Sequence, residues 1–114
     1  MADDIFCQIV AGTIPATILY LDDEVMAFRD INPKAPVHVV IIPRRHITSV
    51  AELTEDDAAI VGRMVMVAKI VAKKEGISER GYRLLINNGA DSGMAVPHLH
   101  MHLLGGRRLS DNLC

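Results

Sequence analysis

"VPHLHMHLLGG", residues 96–106, places three of the chain's five histidines, 98, 100 and 102, at alternate positions inside an otherwise apolar run. A short hydrophobic stretch that repeats an imidazole every second residue reads as a β-strand, because residues two apart along a strand share a face. His98, His100 and His102 are then expected in one row, about 6.6–6.8 Å per step. Leu99, Met101 and Leu103 fill the opposite face. One side of such a strand belongs to a core, and the other is lined with imidazole.

The neighbouring segments supply the rest of a sheet. "VHVVIIP" (37–43) is apolar on both faces except for His38, as a central strand buried on both sides would be, and His38 reads as a packed strand residue. "TILYL" (17–21) and "VMAFRD" (25–30) flank Asp22-Asp23-Glu24 as the arms of a hairpin. "INPKAP" (31–36) then interrupts with two prolines. "YRLLIN" (82–87) is a further strand, followed by the loop "NGADSGMA" (88–95). "DDIFCQIVAGTIP" (3–15) reads as a short helix, started by Asp3 and Asp4 and stopped by Gly12 and Pro15. A long helix is expected from 55 to about 75, with Thr54 as N-cap, acidic residues 55–57 in the first turn, Lys73 and Lys74 in the last, and Gly76 beyond. About five mostly antiparallel strands with one long and one short helix make an α+β fold in a single domain, residues 1–114.

Half of the 114 residues are hydrophobic and none is tryptophan, so aliphatic side chains must do the packing. A net charge of −2 argues against a basic nucleic-acid-binding surface. Cys7 and Cys114 stand at opposite ends and form no framework of closely spaced cysteines, so a secreted disulfide scaffold is not expected. The N-terminus is acidic and lacks the basic region of a signal peptide. No apolar run reaches the ~20 residues of a membrane span. A soluble cytoplasmic protein is expected, with no membrane or nucleic-acid partner.

Three chemistries fit a histidine row. The imidazoles can be hydrogen-bonded polar residues on a solvated face, though three in register need three sets of partners. They can converge on zinc or copper with a further ligand from elsewhere. Or a neutral imidazole attacks an electrophile while its neighbours orient it and donate protons. Crowding three together disfavours charging them all, which keeps a nucleophile available. The flanks favour catalysis. "NNGADSGMAVP" (87–97) is glycine-rich, and "GG" follows the row. Glycine admits close approach of a ligand, and amides in such a loop hold phosphate oxygens. There is no G-K-[ST], so this is not a Walker loop.

"HLHMHLL" (98–104) resembles the His-φ-His-φ-His-φ-φ motif, with φ hydrophobic, of the histidine-triad nucleotide-binding proteins. The similarity extends through residues 5–47 and 81–107 and is strongest to the nucleoside phosphoramidases. The resemblance implies that His100 is the nucleophile at the α-phosphorus of an AMP or GMP derivative. It implies a nucleotidyl-histidine that water hydrolyses, with His98 and His102 orienting the nucleophile and contacting the phosphate or leaving group. It places Asn87 beside the phosphate, Asp30 on the ribose hydroxyls, and Ile5, Phe6, Ile9 and Ile31 around a purine. By pattern alone those four are core and Asp30 a turn residue. His46 matches a family histidine close to the triad and joins the catalytic set. Arg44 and Arg45 read equally as attractors of anionic substrate or as solvated loop charges. A dinucleoside polyphosphate hydrolase and a non-catalytic nucleotide- or zinc-binding scaffold are the alternatives.

Several positions depart from the family pattern. Met94 and Ala95, at substrate-binding positions, replace the Gln-Ser or Gln-Thr of many members, whose side chains reach the phosphate and leaving group. Pro97 removes a backbone donor just before the triad. Some members carry a C-x-x-C whose cysteines join two histidines around zinc. Here Asp4 stands at the first cysteine position, while Cys7, His46 and His98 match the other three. With one thiolate gone, no stoichiometric zinc and no cofactor are expected. The resemblance also implies a homodimer with the sheet extended across it. On the long helix, Ile60, Val61, Met64, Val65, Val67, Ala68, Val71 and Ala72 form a core side. Ala59, Gly62, Met66 and Ile70 form a second stripe suited to packing on a mate.

Overall fold

Five strands and two helices make up the fold, and the structure, a computed structural model, describes residues 4–111. The strands are β1 (Ile18–Leu21), β2 (Val25–Arg29), β3 (Val37–Pro43), β4 (Tyr82–Ile86) and β5 (Met101–Gly105); the helices are α1 (Ile5–Ala11) and α2 (Ala58–Lys74). Every pairing is antiparallel, in the order β1-β2-β3-β5-β4, so the α+β class read from the sequence is the one found. Asp3 and Cys114 lie outside the described residues.

The central strand explains the two-sided core. Val39 and Ile41 of β3, with Met101 and Leu103 of β5, face Met64, Val67 and Val71 of α2. The alternate residues Val40 and Ile42 face the other way, onto Phe28 and onto Ile9 of α1. A strand buried on both faces loses the polar–apolar alternation of a surface strand. Each such side chain contributes roughly 1.5–3 kcal/mol on burial.

Local signals set the helix ends. Asp4 caps α1, its carboxylate accepting the Cys7 N–H at 2.8 Å, and Gly12 closes it at φ 82°. Residues 55–57 form a 3-10 turn, so α2 proper begins at Ala58, three residues later than expected. The Asp57 carboxylate accepts from the Thr54 N–H at 2.9 Å and hydroxyl at 3.2 Å, which tightens that first turn. Val65, expected on the core side, is 41% exposed, because the sheet covers a narrower arc of α2 than its apolar residues span. Met66, Ala59 and Gly62 are exposed and Ile70 is half-buried. Among the described residues, no helix is long and apolar enough to cross a membrane.

The histidine segment departs from a single row. Only His102 lies within a strand, since β5 starts at Met101. Around Pro97 the backbone turns: His98 N–H donates to Val96 C=O at 2.8 Å and Leu99 N–H to Ile47 C=O at 2.6 Å. This turn swings His98 away from its two companions. The glycine pair that follows serves packing. A Cβ on Gly105 would lie 2.8 Å from Ile77 Cδ1, and one on Gly106 2.8 Å from Pro36 Cβ, so neither glycine makes room for a ligand.

Candidate active site

On the sheet face opposite α2, α1 covers the β2–β3 side and leaves a cleft of about 560 Å³ beside it. Phe6, Asp30, His38, Asn87, His100 and His102 line it, with Met94 and Ala95 on the loop that follows β4. A smaller hollow of about 100 Å³, bounded by Ile5, Phe6, Ile9, Phe28 and Ile31, adjoins it. Ile31 is 84% exposed, whereas Ile9 is buried. The edge of the Phe6 ring meets His100, with centroids 5.0 Å apart, so one residue serves both spaces.

Backbone partners fix which ring nitrogens carry hydrogen. His100 Nδ1 lies 2.6 Å from the His98 carbonyl, which can only accept, so Nδ1 holds a hydrogen and in the neutral ring Nε2 is bare. The Lys34 N–H donates to His38 Nδ1 at 3.0 Å, so neutral His38 carries its hydrogen on Nε2. That Nε2 lies 2.9 Å from His102 Nδ1, which therefore accepts and leaves His102 with its hydrogen on Nε2. Asp30 Oδ2 stands 3.4 Å from His38 Nε2 and steadies the same hydrogen. Burial, reinforced by the His100 and His38 rings, pushes His102 down to about 4. Burial also lowers His38, against the pull of Asp30. When both rings are neutral, the cleft holds one bare imidazole nitrogen, on His100, and one N–H donor, on His102, with the ring centroids 5.0 Å apart.

A second cluster lies behind His98. Its Nε2–H donates to the Pro43 carbonyl at 3.1 Å, which leaves Nδ1 bare and turned toward Asp4 Oδ1 at 3.2 Å and Cys7 Sγ at 3.5 Å. His46 Nδ1 stands 3.1 Å from Asp4 Oδ2 and 3.5 Å from Cys7 Sγ. Burial alone would raise Asp4, but the Cys7 N–H and the two histidines hold it below the ordinary carboxylate value. The ligand atoms of Asp4, Cys7, His46 and His98 all lie within 4.8 Å of one another. One oxygen, one sulfur and two imidazole nitrogens facing a common centre fit a tetrahedral divalent ion such as zinc.

Residues 11–109 match the HIT domain family. The chain belongs to that family. It is 47% identical to the purine nucleoside phosphoramidase of Escherichia coli (strain K12) over 114 residues, 99% of this chain and 96% of that one. It is also 47% identical to a 14 kDa zinc-binding protein of Zea mays, across 93% of this chain and 84% of the maize protein. Its fold superposes on a HIT family hydrolase from Clostridium thermocellum with a TM-score of 0.95 at 45% identity, covering 100% of this chain and 99% of that one.

Within this HIT fold, His100, His102, Asp30 and Asn87 line one cleft, and Ile5, Phe6, Ile9 and Ile31 bound the adjoining hollow. His46 does not join them. Assigned to the catalytic set, it instead stands outside the cleft, its ring 5.0 Å from His98. His98 also points away and touches the cleft through its carbonyl. His38, a packed strand residue by its sequence, is buried, and it is also the hydrogen-bond partner of His102. A polar side chain at an inward position of "VHVVIIP" was the signal that it had a partner to meet. Asn32 and Lys34, in the loop before β3, line the cleft as well.

Proposed function

We propose that this HIT protein is a nucleotide hydrolase that cleaves purine nucleoside phosphoramidates or adenylates to the nucleoside monophosphate. The observation that carries this reading is the bare Nε2 of His100 facing a cleft into which His102 directs an N–H. The relatives named as a phosphoramidase and a hydrolase support the reaction class. The purine enters the apolar hollow against Phe6, Ile5 and Ile31, Asp30 accepts from the ribose hydroxyls, and Asn87 donates to the phosphate. His100 Nε2 attacks the α-phosphorus as the bond to the leaving atom breaks. The leaving atom departs with a proton from solvent while His102 Nε2–H donates a hydrogen bond to it. Water then attacks phosphorus as the bond to His100 Nε2 breaks, and its released proton passes to solvent. The His98 carbonyl orients the nucleophile throughout.

Asp4, Cys7, His46 and His98 would hold a divalent ion, which would supply a structural tie between α1 and the His98 turn. The exposed stripe of Ala59, Gly62 and Met66 on α2 is the proposed dimer face.

His100→Ala tests the reaction. It is expected to lower hydrolysis of an adenosine phosphoramidate by at least about 10³-fold, as loss of a nucleophile does, while AMP still binds through other residues. A trapped nucleotidyl adduct on residue 98 or 102 in place of 100 would refute the assignment.

A further inference from the structure

Helix α1 stands between two sites. Asp4, its N-cap, and Cys7 face the cluster behind His98, while Ile5, Phe6 and Ile9 line the hollow. Seven residues are too few for a helix to hold alone in water, where roughly 12–15 are needed, so side-chain contacts set its position. Phe6 joins the two sides: its ring meets Phe28 with centroids 5.5 Å apart and His98 with centroids 5.9 Å apart.

The cluster is already arranged for an ion. A tetrahedral ion with ligands at about 2.0–2.3 Å holds neighbouring ligand atoms roughly 3.3–3.6 Å apart. Here Cys7 Sγ stands 3.5 Å from Nδ1 of both His46 and His98, and the Asp4 oxygens lie 3.1 and 3.2 Å from the same two nitrogens. The Nε2 atoms of these rings have partners that accept, the Thr48 hydroxyl at 3.1 Å and the Pro43 carbonyl at 3.1 Å, which leaves each Nδ1 bare for the ion. An ion therefore fixes α1 where it stands, with its apolar side chains against the hollow.

We infer that a zinc ion at Asp4, Cys7, His46 and His98 is an effector, whose occupancy tightens binding of the nucleoside part of the substrate through α1. This rests on the ion site and the purine hollow proposed above. Asp4 offers a carboxylate oxygen where a second sulfur would grip zinc more firmly, so the ion exchanges and its occupancy follows the free zinc concentration. Linkage makes the coupling reciprocal: nucleoside in the hollow raises zinc affinity by the same factor. His100 and His102 lie outside the ligand set, so the ion changes affinity and leaves the chemical step to them.

Calorimetry with adenosine tests this, because adenosine fills the hollow and has no phosphate to bind zinc directly. Protein carrying one zinc per chain is expected to bind adenosine about five- to tenfold more tightly than metal-free protein, the low end of coupling between two sites. Zinc titrated with and without saturating adenosine should gain the same factor. In Cys7→Ser, at zinc just sufficient to fill the unmutated site, adenosine affinity should match that of metal-free protein. Zinc bound with adenosine affinity unchanged or weakened would overturn the inference and leave the ion site standing. A gain that survives Cys7→Ser would place the effective ion elsewhere and overturn it too. A gain for AMP without one for adenosine would do the same, since the coupling would then run through the His98 carbonyl to His100 and the phosphate. Failure of zinc to bind would remove the ion site and the inference together, and failure of both adenosine and AMP to bind would remove the purine hollow with it.

Discussion

His38 Nε2 lies 2.9 Å from His102 Nδ1, and the backbone N–H that His38 accepts on its other nitrogen sets the hydrogen position on both rings. Without His38, His102 Nδ1 loses its donor, and the ring is free to place its hydrogen on the side away from the leaving group. His38→Ala is expected to lower kcat on alkyl phosphoramidates by about 10–100-fold, the usual effect of removing a partner that orients a reacting histidine. Because Asp30 and the base hollow persist, KM should change far less. His38→Gln keeps an acceptor for Lys34 and a donor for His102, and should recover much of the rate. A kcat within twofold of normal in the alanine variant would show that His102 needs no such partner.

Acid should destabilise the fold through the same rings. Burial is the leading cause that pushes His102 down to about 4, and it lowers His38 and His98 as well. In the unfolded chain these rings protonate near 6.5. Between about 4 and 6.5 the unfolded state therefore binds more protons than the folded one, and stability rises with pH across that window. Stability is undiminished above the unfolded value and is lost as pH falls toward the folded one. His102 alone accounts for on the order of 1–3 kcal/mol of this loss. Thermal unfolding near pH 7.5 and pH 5 should show a drop in Tm that is smaller in His102→Gln. A Tm flat over that range would refute the linkage.

The parts of this architecture that could be read from the sequence are those governed by local periodicity. The five strands, the Asp4 and Gly12 boundaries of α1 and the buried face of α2 all follow from side-chain spacing and capping chemistry. The turn at Pro97 was not readable as a break in the row, because period-two spacing fits His98 as well as His102. Its displacement depends on the Leu99 N–H pairing with Ile47, a contact between distant segments. The role of His38 is hidden for the same reason. Sixty-four positions separate it from His102, and only the β3–β5 register brings them together.

The cluster behind His98 revises the expectation about metal. Loss of one thiolate argues for no stoichiometric zinc, yet Asp4 places a carboxylate where four ligand atoms converge and turns bare nitrogen toward it. Titration is expected to give about one zinc per chain and to raise Tm, with Cys7→Ser weakening both effects. Hydrolysis should persist after chelation, because the ligand atoms lie outside the cleft lining. Absence of a Tm shift with excess zinc would restore the original expectation.

Assembly turns on α2. Met66 is 49% exposed beside the small residues Ala59 and Gly62, an arrangement that allows close approach of a second helix. Met66→Glu would set two carboxylates against each other across a two-fold axis. Sedimentation should show a dimer for the unmutated chain and a monomer for the variant. A dimer unaffected by the glutamate would place the interface elsewhere.

Ala95 lines the cleft at a position where the family resemblance implies a hydroxyl, and the nearby Ser92 hydroxyl donates to the Gly89 carbonyl at 2.6 Å. His102 offers a hydrogen bond there through its N–H, but its lowered pKa keeps the ring neutral and so a weak acid. An alkylamine must be protonated as it departs, whereas a carboxylate or polyphosphate leaves as a stable anion. Ala95→Ser should therefore raise kcat on alkyl phosphoramidates by about two- to tenfold, well below the ~10²–10⁴-fold of a full general acid, because His102 already serves the same atom. Aminoacyl adenylates should gain less than twofold. An equal gain on good and poor leaving groups would mean that the added hydroxyl holds a phosphate oxygen and takes no part in bond cleavage.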